Sequence, residues 1–419
     1  MLWSRETADR PLVDDERLAP MTDPVEDQYT RWVYPQPAVS LRRMWQNCDP
    51  SLQQLHYAYW PDRAYWPGMR ILVAGCGSNQ AANLAQRNPS AQVLGIDVSP
   101  TSLQHERLLK GKYALDNLSL EQMSIDDLAG LDREFDLIVA TGVLHHLPEP
   151  AAALAQLGRR LAPHGVICLM VYGRYFRAGV YMLQELFRRV GLGQSPEDVA
   201  IVRQTLSNLQ QDHLVRNYMR AVEDLGHDSG IVDTFLHAAD RAFTVEECLA
   251  LVEQAGLRFQ NWQENFYYYP NGQMPADSLL FKRLEAMPTR ALWAAMELHH
   301  GGIGRHDFYC CRADRPEASF KLDFDDEEGF FDLVPVRRIS RLIEPDPARG
   351  RRAAILRAPF PEVGLDDVQL RLFQCIDGQR SIARCIADSN IAGDQRQLRG
   401  FAKQFFISLW RLGYALLHF

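Results

Sequence analysis

The chain has 419 residues, 47% hydrophobic and 23% charged, with a formal net charge of −8, a composition that supports a large core and two or three domains. The acidic balance argues against a partner whose phosphates must be tracked, and no apolar run reaches the roughly 18 residues of a membrane span, so neither nucleic acid nor membrane is expected. The eight cysteines are scattered with no C-x-x-C pair and the N-terminus lacks the pattern of a signal peptide, which predicts reduced thiols, no zinc site and a cytoplasmic protein.

Residues 1–25 are polar and rich in Pro and Asp and read as a disordered leader. An arm over 26–69 follows, aromatic at Tyr29, Trp32 and Tyr34 and then helical to about 65. From residue 70 short β-branched runs alternate with amphipathic helices. Strands are predicted at 70–75, 91–97, 118–123, 135–142 and 165–172, and helices at 79–87, 100–114 and 149–161. Two of those helices begin after start signals, Ser99-Pro100 and Pro148-Glu149. "FDLIVATG" and "GVICLMVY" are apolar on both faces, as parallel strands covered by helices must be. The fold class this predicts is α/β, a doubly wound Rossmann-like sheet.

Helical sequence over about 174–242 interrupts the alternation as an insert. "FTVEECLALVEQAGLRFQNWQ" then gives a helix and a strand, a second helical stretch spans about 275–300, and "RHDFYCCR" is the last strand of a unit covering 70–313. An acidic linker, "KLDFDDEEG", leads to a smaller, mainly helical region at 330–419, with three helices and a terminal strand. No internal repeat is present.

The chemistry begins at "ILVAGCGSNQ". Gly75 and Gly77 end the first strand and permit a bend that brings backbone N–H groups against a ligand. Asp97 ends the second strand 20 residues after Gly77, where a carboxylate can accept hydrogen bonds from ribose hydroxyls. The third glycine of a dinucleotide fingerprint is replaced by Gln80, which disfavours a pyrophosphate beneath the helix. S-adenosylmethionine (SAM), with a ribose but no pyrophosphate, fits better. The plain alternatives are a tight turn without ligand and a helix-capping Asp97.

Together, "ILVAGCGSNQ…VLGIDVSP…FDLIVATGVLHHLPEP…LAPHGVICLMVYGR" resembles the class I SAM-dependent methyltransferases in content and order, strongly over about 70–172 and more loosely to about 265. The resemblance implies a seven-stranded sheet, SAM as cofactor and S-adenosylhomocysteine as product. It implies cofactor contacts from Gly75, Cys76, Gly77, Gln80, Asp97, Val98, Ser124, Ile125, Thr141 and Gly142, with Val143 beside them. The sequence departs from the family at Asn79, where a further glycine is common. It departs again at the third strand, where Ser124, with Asp126 two residues on, replaces the usual acid. The adenine contact is therefore open between Ser124, the Ile125 backbone and Asp126.

For catalysis, His146, His237 and Tyr172 are the candidates, with His145 as a weaker one; the alternative for the "LHHL" pair is packing. Acceptor contacts are expected from Tyr29, Tyr34, Arg174, Tyr175, Asp240 and Arg241. Arg174 can hold a carboxylate or can instead rest on a helix-cap carbonyl. Aromatic residues of the arm can attract a sulfonium or can simply pack on the surface. His237 and Asp233, four apart, lack a third clear ligand, and His299, His300 and His306 read as a turn into a strand, so no metal is expected. Residues 330–419 weakly resemble winged-helix-like modules, on the strength of "LFQCIDGQRSIARCIAD". Methylation of a small-molecule O, N or S acceptor is the leading function. The alternatives are a protein or peptide acceptor docked on the C-terminal region, and a SAM-binding protein without catalysis. A homodimer is compatible with either.

Overall fold

The computed structural model describes residues 24–35, 37, 40–41, 52–338, 340–346, 348 and 350–419, so the expected leader lies outside the described residues up to residue 23. The alternation seen in sequence becomes seven strands: β1 (Arg70–Ala74), β2 (Gln92–Asp97), β3 (Leu118–Gln122), β4 (Phe135–Thr141), β5 (Leu161–Tyr172), β6 (Leu257–Trp262) and β7 (Arg305–Arg312). They form one sheet in the order β3-β2-β1-β4-β5-β7-β6. β1 to β5 run parallel to one another, and β7 is antiparallel to both β5 and β6. The strand order reverses beside β1 and leaves a crevice at the carboxyl ends of β1, β2 and β4, the place where open α/β sheets bind ligands.

Period-2 alternation divides the strands between two cores. Leu72, Ala74, Ile138, Ala140, Ile167 and Leu169 face the helices Pro150–Arg159, Val245–Gln254 and Thr289–His300. Ile71, Val73, Leu137, Val139 and Val166 face the helices Leu52–Tyr59, Gln80–Arg87 and Pro100–Tyr113. The fifth strand is longer than the sequence predicted, because the preceding helix stops at Arg159 and Leu161 already pairs with Phe135. The register with β4 shifts between Phe135 and Leu137, and Pro163, which has no N–H for a ladder, falls in that irregular stretch.

The insert folds into helices Ala178–Arg189, Pro196–Asn208 and Val215–Ala221, then a short helix running into a π-helical turn, Val232–Leu236. It has its own apolar core, with Val180, Leu183, Phe187, Val202, Val215 and Phe235 among its members. The expected second helical stretch is two helices, Leu279–Glu285 and Thr289–His300.

The acidic linker is a correction. Its end starts the helix Glu327–Asp332, capped by Asp326, and Phe330 and Phe331 are buried in the C-terminal core. The three C-terminal helices are found at Asp367–Gln374, Ile382–Asp388 and Gln395–Arg411. Four short strands that the sequence did not separate accompany them, β8 (Val334–Arg337), β9 (Arg341–Ile343), β10 (Ala353–Leu356) and β11 (Val363–Leu365), and the expected terminal strand is β12 (Ala415–His418). β9, β10 and β11 form one antiparallel sheet, and β12 pairs with β8, which precedes the helices. Among the described residues β12 is the strand that follows the third helix, and the winged-helix resemblance is not confirmed.

This region is fastened to the rest. Glu264, just past β6, receives both Arg338 and Arg357, with three of the four side chain contacts at 2.9–3.1 Å. Tyr57 stacks on His418 at 3.8 Å, and the Phe419 amide donates to the Pro61 carbonyl at 2.9 Å.

Candidate active site

The bend after β1 holds Gly75 at φ +69° and Gly77 at φ +57°, a region that favours glycine. A Cβ on Gly75 would lie 2.4 Å from Val143 Cγ2, and one on Gly77 would lie 3.2 Å from Pro35 Cδ. The amides of the bend are not free, contrary to the sequence expectation. Gly75 and Cys76 donate to the Ile96 carbonyl, and Gly77 donates to Asp97 Oδ2 at 2.8 Å. What the glycines leave for a ligand is bare backbone surface. The close helix–strand approach that a dinucleotide fold obtains from its third glycine comes here from Gly95, where a Cβ would lie 2.7 Å from the Ala81 methyl. Gln80 is therefore not asked to provide it.

Asp97 is buried at the end of β2, and its Oδ1 accepts from the Ser99 amide at 2.8 Å. Burial pushes its carboxyl up from the ordinary range, against the opposing pull of the Ser99 and Gly77 amides. Each oxygen takes one amide, and a carboxylate has about four lone-pair sites, so capacity remains for two ribose hydroxyls. Gly142 at φ +77° ends β4 beside the bend. Ser124 is committed locally: its hydroxyl donates to Asp127 Oδ2 at 2.8 Å and accepts from the Asp127 amide at 3.3 Å, while Ile125 is buried and Asp126 is exposed.

The N-terminal arm lies along this edge. Ser78 donates to the Pro35 carbonyl, Ser99 to the Tyr29 carbonyl and Thr101 to the Thr30 carbonyl, at 2.9, 3.1 and 3.4 Å. The same arm reaches the insert. Tyr29 donates to Asp233 Oδ1 at 2.9 Å, Tyr34 to Asp224 at 2.8 Å, and Gln194 to Gln28 at 2.6 Å. Trp32 packs on the insert core. The arm thus joins the carboxyl edge of β1 and β2 to the insert.

A polar cluster is buried beneath them. Tyr172, the last residue of β5, donates to Asp233 Oδ2 at 3.2 Å, so this carboxylate holds two phenols. Burial raises the carboxyl above its usual range and also raises Tyr29 and Tyr172. His146 and His237 stack at 3.9 Å between ring centroids. The His146 Nδ1–H faces the Ala239 carbonyl at 2.9 Å, and the Ala239 amide donates to His237 Nδ1 at 3.0 Å. In their neutral forms His146 therefore carries its lone pair on Nε2 and His237 carries its proton there. Burial lowers both, His237 to about 4. His145 is buried against Tyr172, ring centroids 3.9 Å apart.

Of the residues singled out in sequence, Tyr29, Tyr34, His146, Tyr172, His237 and Asp240 gather around this cluster. Three do not. Arg174 bonds to the Ala242 carbonyl and Glu247 at 3.0 and 2.7 Å, Tyr175 is 42% exposed, and Arg241 is exposed with its guanidinium over Phe243. His306 is likewise apart, buried between Tyr268 and the Phe243 carbonyl, while His299 is exposed. The sequence reading missed Arg177. Its side chain is 1% exposed, lies 3.8 Å over the Tyr172 ring and bonds to Asp240, Tyr218 and Tyr181. Its only signal was a position three residues after Arg174 in a loop.

A nucleotide-type crevice at a topological switch point, with a glycine bend and an acid at the next strand end, defines a SAM-binding α/β enzyme. Comparison agrees: a "Methyltransferase domain" family profile matches residues 72–167. An uncharacterized protein of Synechococcus sp. is 30% identical over 291 residues, covering 67% of this chain and 68% of its own length. A trans-aconitate 2-methyltransferase of Deinococcus radiodurans is 36% identical over 124 residues, 29% of this chain; the chain spans 44% of that enzyme's length. The structure of PKMT2 from Rickettsia typhi in complex with AdoHcy superposes with a TM-score of 0.61 over 88% of this chain and 74% of that one, at 15% identity, a likeness of fold. The chain belongs to the class I SAM-dependent methyltransferases, and SAM is its cofactor. No helix among the described residues is long and apolar enough to cross a membrane.

Proposed function

We propose that the protein methylates a small-molecule acceptor enclosed between the arm, the insert and the carboxyl ends of β4 and β5. The observation that carries this reading is the arm's double attachment, to the donor edge through Ser78, Ser99 and Thr101 and to the insert through Asp224 and Asp233. A cover fixed at both sides encloses a small molecule and excludes both a protein chain and bulk water. The relative that methylates trans-aconitate by name supports a small acceptor as well.

In this reading Gly75, Cys76, Gly77, Gln80, Val98, Thr141 and Gly142 form the wall against the donor. Asp97 takes the ribose hydroxyls, and Ile125 is the remaining wall of the adenine pocket. Bound SAM supplies an electrophilic methyl group on a sulfonium. The chain's own residues desolvate and align the acceptor and take its proton. Tyr172 and Tyr29 both donate to Asp233, so a proton leaving the acceptor passes through one phenol to that carboxylate, which burial makes more basic than a surface acid. The stacked His146 and His237 wall the same space.

The test is a methyl-labelled SAM assay of the full chain with two acceptor pools, a small-molecule extract and a protein extract, analysed by mass. Label entering the small molecules is expected. Label confined to protein would overturn the enclosed-acceptor reading in favour of a protein or peptide substrate, and stoichiometric SAM binding without transfer to either pool would favour a non-catalytic binding protein.

A further inference from the structure

Beside the cluster, three buried polar atoms on two neighbouring residues are left unsatisfied. Both ring nitrogens of His145 and the Oδ1 of Asp240 lack a hydrogen-bond partner among the described residues. His145 is 1% exposed and the Asp240 side chain 1%. Leaving such groups unpaired costs about 1–3 kcal/mol each, so a cluster of them signals an occupant. The donor atoms of His145, His146 and Asp240 all lie within 4.8 Å of one another.

We propose that His145, His146 and Asp240 hold a divalent transition-metal ion. Two neutral imidazoles and one carboxylate are a donor set suited to Zn2+, Co2+ or Fe2+. The surroundings match what such ligands need. His146 directs its Nδ1–H at the Ala239 carbonyl, which fixes the tautomer and presents Nε2. Asp240 has its other oxygen, Oδ2, held by Arg177 and Gln184, both at 2.8 Å, which orients Oδ1. The neighbouring trio His146, Asp233 and His237 is also close, but it is the poorer candidate. His237 Nδ1 already accepts from the Ala239 amide, so its Nε2 must carry a proton, and both Asp233 oxygens hold phenols. The Arg177 charge opposes a second cation, and the carboxylates of Asp240 and Asp233 offset it.

The proposal goes beyond the methylation reading and is tested without SAM. An acceptor oxygen bound to such an ion would release its proton to Asp233 more readily. Metal-free full-length protein is titrated with Co2+ and followed by its visible ligand-field bands, with Zn2+ as competitor. One saturable Co2+ per chain, displaced by Zn2+, is expected. His145→Leu removes no hydrogen bond, so it should keep the melting temperature of the metal-free protein while weakening Co2+ binding at least tenfold. Asp240→Asn should weaken it too, and the exposed His299→Ala should not. No saturable binding by the wild type, or equal binding by His145→Leu, overturns the proposal.

Discussion

At the scale of single residues, what the site requires differs from what a motif shows. Tyr172→Phe keeps the ring that packs on His145 and Arg177 and removes only the hydroxyl that reaches Asp233. It is expected to lower kcat by about 10²-fold with SAM affinity unchanged, the scale of a lost proton-transfer group, measured by steady-state kinetics and calorimetry. Asp233 must be ionised to take a proton, and burial raises its carboxyl, so activity should fall on the acid side with an apparent pKa above the ordinary carboxylate value. An acid limb at or below that value would count against Asp233. Gly75→Ala places a methyl group into Val143 at positive φ and is expected to abolish SAM binding. The glycine bend and Asp97 were legible in sequence because their geometry is local: strand, bend and acid at fixed spacing. Arg177 was not, because its significance comes from burial against residues across the insert, and a buried arginine has the same letters around it as an exposed one. Arg174 was left between an anion contact and a helix-cap carbonyl, because its Glu247 partner is 73 residues away.

At the scale of elements, the arm and the C-terminal latch carry the arrangement. Glu264 is the shared partner of Arg338 and Arg357, whose side chains are 5% and 12% exposed. Glu264→Ala strands two largely buried guanidinium groups and is expected to cost about 2–4 kcal/mol in chemical denaturation. A change below about 0.5 kcal/mol would show that the latch is not structural. The central strands β4 and β5 were readable because their apolar runs cover both faces, whereas β8 to β11 have only three or four residues each, too few to display alternation. The helix Glu327–Asp332 was hidden by the acidic run before it, although the adjacent pair Phe330-Phe331 was an available sign of burial.

At the scale of the whole molecule, three histidines are buried in neutral form in one cluster, and burial lowers all of them, His237 to about 4. A depressed histidine contributes stability that is present above its unfolded value and lost as pH falls towards its folded value. The window is therefore from about 6.5 down to about 4, and His237 alone accounts for about 3 kcal/mol at 1.36 kcal/mol per unit. Asp233 acts in the opposite sense, its raised carboxyl favouring the fold as pH falls, so the net loss is smaller than the sum over the histidines. Melting temperatures are expected to hold above pH 6.5 and decline between pH 6 and 4.5, less so in His237→Leu. A flat profile in the wild type would contradict a neutral buried cluster. The resting place of the C-terminal region, latched to the end of β6 and to the helix Leu52–Tyr59, was outside the reach of sequence, because it depends on contacts such as Tyr57 with His418 that join residues far apart in sequence.

The most direct test is calorimetric titration of S-adenosylhomocysteine into the full chain and into Asp97→Ala. One molecule bound per chain, with affinity lowered about 10- to 100-fold by the substitution while the fold is retained, is the expected result. Equal affinity of the two proteins would contradict the assignment of that carboxylate to the ribose, and with it the placement of the donor at the bend between β1 and the helix Gln80–Arg87.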